Sequence, residues 1–551
     1  MSPGNFYRLF IAVSFILFEL QACGDGKKNA TEGNVFRFNE LGEVRSLDPA
    51  MGGSFEDNWA LTQLYNGLVE MDTDLFVQPC IAKSWEISED GMKYTFHLRN
   101  DVFFQDSPQF PGGKGRKVTS ADFVFSFERL FDKRFSNAST LVEKIVHDPA
   151  QGKYGFTAPD DSTLDIQLRM PFRPFLGILT MKFFSVVPKE VVSFFEAEFG
   201  RNPIGTGPFR LKFWHEKNNL VFEKNPGYFK FDEIGVRLPY LDLVSVTFIK
   251  NPESAYMQLL AGDQDMISGI DAINREKTLG QDGKLRPGLL KRFVLQSAPF
   301  IKTDYLAILV DPKIQEAKKS PLSLLYVRQA INYAIDRKKI VRYRRSNLGT
   351  PANAGFIPPE MHAYDPAKLE GFSYNPDKAR LLLSKANYPG GKGMPTIRLT
   401  TTASYLDIAD EIKHQLNEIG ITVNIETMMP GAYVTAAAEG DLLFFRKSWI
   451  CDYPDPENFM SLFYSKHFAP AGANYTHFSD KEFDRLYERC LVEPNDSLRA
   501  ELFLRMDQII VDQAPVVPLY YDRVVRLVSK KVEGFMVDPT NSMNLERVRL
   551  R

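Results

Sequence analysis

The chain has 551 residues, 44% hydrophobic and 13% aromatic, so it can bury large cores and should divide into more than one domain; disordered and fibrous classes are excluded. Lys and Arg total 67 against 69 Asp and Glu, a formal net charge of −2 with both signs interspersed, so no global electrostatic footprint draws the chain to nucleic acid. Its four cysteines, Cys23, Cys80, Cys451 and Cys490, have neither the spacing of a zinc site nor the density of a disulfide framework.

At the N-terminus Arg8 precedes an apolar run over residues 9–18, followed by Leu20-Gln21-Ala22-Cys23-Gly24. The run is shorter than the roughly 20 residues a helix needs to cross a bilayer, so residues 1–22 read as an export signal. Cys23, with a small residue before it and the polar leader 23–32 after it, resembles a bacterial lipobox, in which the thiol takes a diacylglyceryl group. An ordinary cleaved signal, or a buried cysteine in an apolar N-terminal helix, is the other reading. Acylation would hold the protein at a membrane, since buried acyl chains contribute about 0.8 kcal/mol per methylene. With Cys23 modified, three cysteines remain, so at least one is expected unpaired, and Cys80 in its apolar context is expected in a core.

Along the body, strand-like and helix-like stretches alternate, which predicts α/β lobes rather than a repeat array. Asp90-Gly91 suits a hairpin turn between residues 85–87 and 94–98. Residues 108–115 form a Gly/Pro loop, and Gly112-Gly113-Lys114-Gly115-Arg116-Lys117 within it lacks the spacing of a phosphate-binding loop. Residues 202–209 suit a tight turn. Residues 325–335 place Val327, Ala330, Ile331 and Ala334 on one helical face, a core stripe. After a second Gly/Pro loop at 389–395, residues 397–401 are β-prone. Residues 405–419 then align Leu406, Ala409, Ile412, Leu416 and Ile419, Gly420 fits a stop, and 421–425 alternates as a strand, which makes a strand–helix–strand unit. A further amphipathic helix is predicted over 498–511.

Enzyme signatures are missing. No H-E-x-x-H occurs among the seven histidines, and Gly52-Gly53-Ser54-Phe55-Glu56 departs from G-x-S-x-G at its last position, so neither a catalytic nor a metal centre is expected. The densest acidic cluster, Asp452-Tyr453-Pro454-Asp455-Pro456-Glu457, reads as a carboxylate pair, a cation loop or a charged surface turn; the glycine an EF-hand turn requires is missing.

Ordered segments along the chain resemble the bacterial extracellular solute-binding proteins that include the oligopeptide- and dipeptide-binding proteins of ABC transporters. They are Ser46-Leu47-Asp48-Pro49, Leu64-Tyr65-Asn66-Gly67-Leu68-Val69, Ser88-Glu89-Asp90-Gly91, Val118-Thr119-Ser120-Ala121-Asp122-Phe123, Asn202-Pro203-Ile204-Gly205-Thr206-Gly207-Pro208-Phe209, Val327-Arg328-Gln329-Ala330, Asn375-Pro376-Asp377, Ser448-Trp449-Ile450-Cys451-Asp452 and Ala514-Pro515-Val516-Val517-Pro518. Two departures stand out: the Gly/Pro loop lengthens the stretch after Phe103-Phe104-Gln105-Asp106, and Leu309-Val310-Asp311 replaces an asparagine-bearing segment.

The resemblance implies an α/β, two-lobed periplasmic-binding-protein fold with two hinge crossings, near 295–310 and 515–521. It implies a first lobe over 33–300 with a subdomain inserted at about 75–200, a second lobe over 301–514, and a return to the first over 515–551. It also implies function: capture of short peptides between the lobes, hinge closure, and delivery to an ABC permease, by a monomer that performs no chemistry and carries no cofactor. Relatives of this fold take nickel chelates, haem, oligosaccharides or opines, so a non-peptide ligand is the alternative. By the same resemblance Asp452 would meet a ligand's α-ammonium, with Asp455 and Glu457 as competitors for that role; the Arg446 guanidinium suits a bidentate contact to a terminal carboxylate, and a solvated edge residue is its other reading. Lys447, Ser448, Trp449 and Cys451 on one side, and Gly53 and Ser54 on the other, would line the peptide backbone.

Overall fold

A computed structural model describes residues 33–134 and 154–551, together with Ser136, Ala138, Val142 and Asp148. The expected signal, leader and acylated Cys23 lie outside the described residues.

Fourteen strands and five helices position the site. In chain order they are β1 (Val35–Asn39), α1 (Phe55–Leu64), β2 (Ala82–Ile87), β3 (Lys93–Leu98), β4 (Phe156–Asp160), β5 (Thr163–Gln167), β6 (Phe209–His215), β7 (Asn219–Lys224), β8 (Leu243–Thr247) and β9 (Met266–Ser268). There follow β10 (Phe293–Ile308), α2 (Leu325–Ala334), β11 (Ile397–Thr401), α3 (Leu406–Glu418), β12 (Val423–Thr427), α4 (Pro430–Glu439), β13 (Phe444–Ile450), α5 (Asp496–Gln513) and β14 (Val516–Ser529). Among the described residues an 11-stranded sheet runs β12-β11-β13-β10-β14-β9-β1-β8-β7-β6, with Thr350–Pro351 added on β14. A separate four-stranded antiparallel sheet, β2-β3-β5-β4, contains the expected hairpin, whose Gly91 takes φ 68°.

Two strands hold the large sheet together. β10 has 16 residues and β14 has 14, against the usual 3–10, and they pair antiparallel from Phe293 opposite Ser529 to Ala307 opposite Val516. Each is long enough to pass from one half of the molecule into the other. At their midpoint the register slips, so that Phe300, Ile301 and Lys302 lie opposite Asp522 alone, a bulge that lets the pair bend.

The registers also locate the cleft. β1 lies parallel to β8 and β9, and β9 runs from Met266 opposite Val528 to Ser268 opposite Arg526, toward the middle of β14. On the other half β11 lies parallel to β12 and β13, and β13 runs from Phe444 opposite Ile308 to Ile450 opposite Lys302, toward the middle of β10. Both parallel sets therefore aim their C-terminal ends at the same bulge, and in open α/β sheets ligands bind outside such ends.

Most motif segments prove to be structural. A Cβ on Gly205 or Gly207 would lie 2.1 or 2.3 Å from backbone atoms of Leu64, so the 202–209 turn needs glycine to seat against the end of α1. Arg328 and Arg337, both buried, donate to the carbonyls of Gln513, Ala514 and Pro518 and so pin α2 to the start of β14. The helix at 405–419 is α3, with Ile408, Ala409, Ile412 and Leu416 buried while Leu406, expected on that face, is exposed at its first turn. The strand after Gly420 begins at Val423 rather than Ile421, because Ile421 N–H donates to Leu416 O at 3.0 Å and closes the helix end instead. Cys80, Cys451 and Cys490 are all buried and free.

The two faces of the second half carry different cores. Tyr305, Ala307 and Phe445 join Phe356, Phe459 and Phe503, whereas Leu306, Ile308 and Phe444 join Leu399, Ile412 and Leu519. This is the period-2 alternation of strands β10 and β13.

Candidate functional site

Alternation along β13 separates the expected site residues onto two faces. Arg446 shares the face of Phe444, and its half-buried guanidinium pairs with Asp304 while lying 3.3 Å from the centroid of the Tyr405 ring. Asp304 also sits 2.9 Å from Lys302 Nζ, which is 2.7 Å from Asp522, which in turn is 2.5 Å from Arg345. These five charges form the floor at the strand bulge. Burial opposes the charge on Lys302, but Asp304 and Asp522 outweigh it and raise the ammonium pKa; the same burial is overcome at Asp522, whose pKa Lys302 and Arg345 depress. Arg446 thus pairs within the protein, in a cluster of three cations and two carboxylates, with a partner at a sequence distance of 142 that no local pattern in the sequence reports.

Lys447 and Trp449 lie on the opposite face. Lys447 Nζ rests 3.5 Å from the centroid of the Tyr475 ring, and burial, followed by the charge of Arg446, pushes its pKa down to about 8. The Trp449 indole N–H donates to Asn458 Oδ1 at 2.7 Å, and the Asp452 backbone N–H reaches the same oxygen at 3.2 Å. Asn458 was not expected from the sequence; it is the buried residue that fixes tryptophan and aspartate together. Ser448 is half-buried, on the Arg446 face.

The three carboxylates of the acidic cluster separate cleanly. Asp455 receives both arms of Arg499, at 2.7 and 2.8 Å, and Glu457 accepts from the hydroxyls of Tyr453 and Tyr487 in the interior. Of the three, Asp452 alone is exposed, and among the described residues its carboxylate accepts a side-chain hydrogen bond only from Asn458 Nδ2, at 3.4 Å. It is nonetheless crowded by protein: lost hydration raises its pKa, opposed by Asn458. The carboxylate is thus open to solvent on one side and desolvated on the others. Cys451 is buried with Sγ 2.6 Å from Tyr453 O, and burial raises its pKa well above the ordinary thiol value, so it is an inert thiol.

Gly53 and Ser54 stand apart. Ser54 caps α1, its Oγ accepting from Asp57 N–H at 3.0 Å while its own N–H donates to Asp57 Oδ2 at 3.3 Å, and Gly53 is exposed beside it. No hydrogen bond or ion pair among the described residues joins either to residues 446–452. Over the rim of the site, however, the two halves touch: a Cβ on Gly177 would lie 3.6 Å from Tyr453 Cβ, and Arg173 pairs with Asp496 at 2.5 Å. A groove of about 810 Å³, walled in part by Tyr256, Met257, Leu260 and Leu289, contains none of these residues.

Comparison with known proteins bears on the family and the fold. Residues 77–470 match the sequence model of the bacterial extracellular solute-binding proteins, family 5 middle region. The chain is 27% identical to the dipeptide-binding protein of Escherichia coli K12 over 511 residues, covering 88% of this chain and 89% of the relative. It is 29% identical over 540 residues to heme-binding protein A of Haemophilus influenzae, covering 93% and 91%. Among solved structures, the periplasmic binding protein DppA of Helicobacter pylori in complex with the peptide STSA superposes with a TM-score of 0.76 at 27% identity, covering 94% of this chain and 98% of that one.

Proposed function

The chain belongs to the bacterial extracellular solute-binding proteins of family 5, and from that premise we propose that it captures short peptides by their free amino end and delivers them, chemically unchanged, to an ABC permease. The observation that carries the reading is Asp452: an exposed carboxylate beside Trp449, tied to it through Asn458, at the C-terminal edge of β13 where the crossing strands bulge. An ammonium entering a cleft loses hydration worth several kcal/mol and needs an anion already in place. The neighbouring indole excludes water and strengthens that pair. Hinge bending at the bulge would close one half of the sheet on the other, with the lobes taken as 33–300 plus 515–551 and 301–514. Similarity to the dipeptide-binding protein and to the peptide-bound DppA supports the same ligand class.

Similarity to heme-binding protein A supports a second reading, a non-peptide ligand in the same cleft. Native mass spectrometry of protein purified from cells separates them by the mass retained.

We further propose that Cys23 carries the lipid anchor and that the protein works as a monomer on the outer side of the cytoplasmic membrane or beyond it. Among the described residues no helix is long and apolar enough to span a bilayer, so membrane residence would rest on the acyl chains. Cys23→Ser should release the protein from membranes or leave it unprocessed; a wild-type chain recovered soluble, cleaved and unmodified at Cys23 contradicts the anchor.

A further inference from the structure

Lys447 has no role in the fold that accounts for its charge. It sits half-buried on β13, two residues before Trp449 and on the same face, its ammonium over the Tyr475 ring. Among the described residues no carboxylate pairs with it, whereas the cations on the other face, Lys302, Arg345 and Arg446, are each paired with Asp304 or Asp522. The ring supplies part of the lost hydration, since a cation over an aromatic face regains less than a desolvated ammonium forfeits. The depressed pKa registers that deficit. Thr or Met at this position would pack against Tyr475 without it.

Resting on the peptide reading above, we infer that Lys447 is a specificity-determining residue: it forms the cationic wall of a subsite beside Trp449 that receives a carboxylate of the bound peptide. The strand ends at Ile450, two residues before Asp452, so Lys447 and Asp452 are five positions apart along the chain and at most about 18 Å apart between Cα atoms. A tripeptide held at Asp452 extends about 10 Å to its carboxyl terminus, within the limit that separation sets. Arg446 points to the other face and is held by Asp304, so it does not compete for this anion.

The test is calorimetric titration of Ala-Glu-Ala, Ala-Gln-Ala and Ala-Gln-Ala amide into wild type, Lys447→Met and Lys447→Arg. Methionine keeps the length of the apolar stem and removes the charge; arginine restores the charge. Wild type should bind one carboxylate-bearing peptide about tenfold or more tighter than its neutral counterpart, the preference vanishing in Lys447→Met and persisting in Lys447→Arg. Preference for glutamate over glutamine assigns the subsite to the side chain, and preference for free acid over amide assigns it to the carboxyl terminus. Equal binding of all three by wild type, or a preference that survives in Lys447→Met, overturns the inference. Binding of none of the three overturns the peptide reading itself and this inference with it.

Discussion

Arg499 donates both guanidinium arms to Asp455, only three residues from Asp452, whose carboxylate no cation among the described residues pairs with. The two aspartates should therefore fail in opposite ways. Asp455→Asn leaves a nearly buried guanidinium without its counter-ion and should lower unfolding free energy by about 3 kcal/mol while folded protein keeps its affinity. Asp452→Asn should weaken free-amine peptides about 30-fold or more with stability little changed. Denaturant melts and calorimetry on both variants check this. Equal losses of affinity in the two would show that the cluster acts as one site.

Asn458 acts through others: its Oδ1 holds the Trp449 indole and the Asp452 backbone. Asn458→Leu keeps the volume and removes both bonds, leaving the indole N–H unsatisfied, a loss of about 1–3 kcal/mol. Affinity should fall about tenfold with the off-rate rising more than the on-rate drops, measured by stopped-flow Trp fluorescence. An unchanged off-rate would remove Asn458 from the site.

A pH test falls on Glu40, at the end of β1. Its carboxyl is buried, one oxygen has no hydrogen-bond partner among the described residues, and burial, opposed by Arg526 and reinforced by Glu56, lifts its pKa to about 7. A raised acid pKa gives stability that is present below the unfolded value near 4.5 and lost as pH climbs through 7. Glu40→Gln does not ionise, so its stability relative to wild type should increase by up to about 3 kcal/mol between pH 5 and pH 8. Thermal melts across that range provide the comparison; a flat difference would show that Glu40 ionises freely in the folded state.

Gly207 tests why the 202–209 segment needs its glycines. Gly207→Ala places a Cβ 2.3 Å from the Leu64 carbonyl carbon, against backbone rather than a movable side chain. Destabilisation of about 2 kcal/mol or more should follow, without change in ligand preference. A melting curve matching wild type would mean the turn can shift.

What could be read from residues alone follows the range of the interactions involved. Periodicity found α2, α3 and α5 because their stripes are local, and Asp90-Gly91 found its hairpin because a turn is local. Ile421 was misplaced since a helix-closing hydrogen bond competes with strand pairing there, and hydrophobic alternation is blind to that competition. At the site, the resemblance pointed to Trp449 and Asp452, and the structure places them together. It could not show that Arg446 is held by Asp304, a residue 142 positions away, or that Lys447 has no carboxylate partner among the described residues, because strand register decides both. Asn458 was within view, six residues past Asp452, but nothing in its type distinguishes a positioning amide from a surface one.

The central claim is that the ligand's free amino terminus is held by Asp452, and the most direct measurement compares one tripeptide with its N-acetylated form by calorimetry on wild type and Asp452→Asn. The account expects the free peptide to bind wild type at least about 30-fold tighter than the acetylated one, with that ratio collapsing toward unity in the variant. Equal binding of the two forms by wild type, or an undiminished ratio in Asp452→Asn, would contradict it.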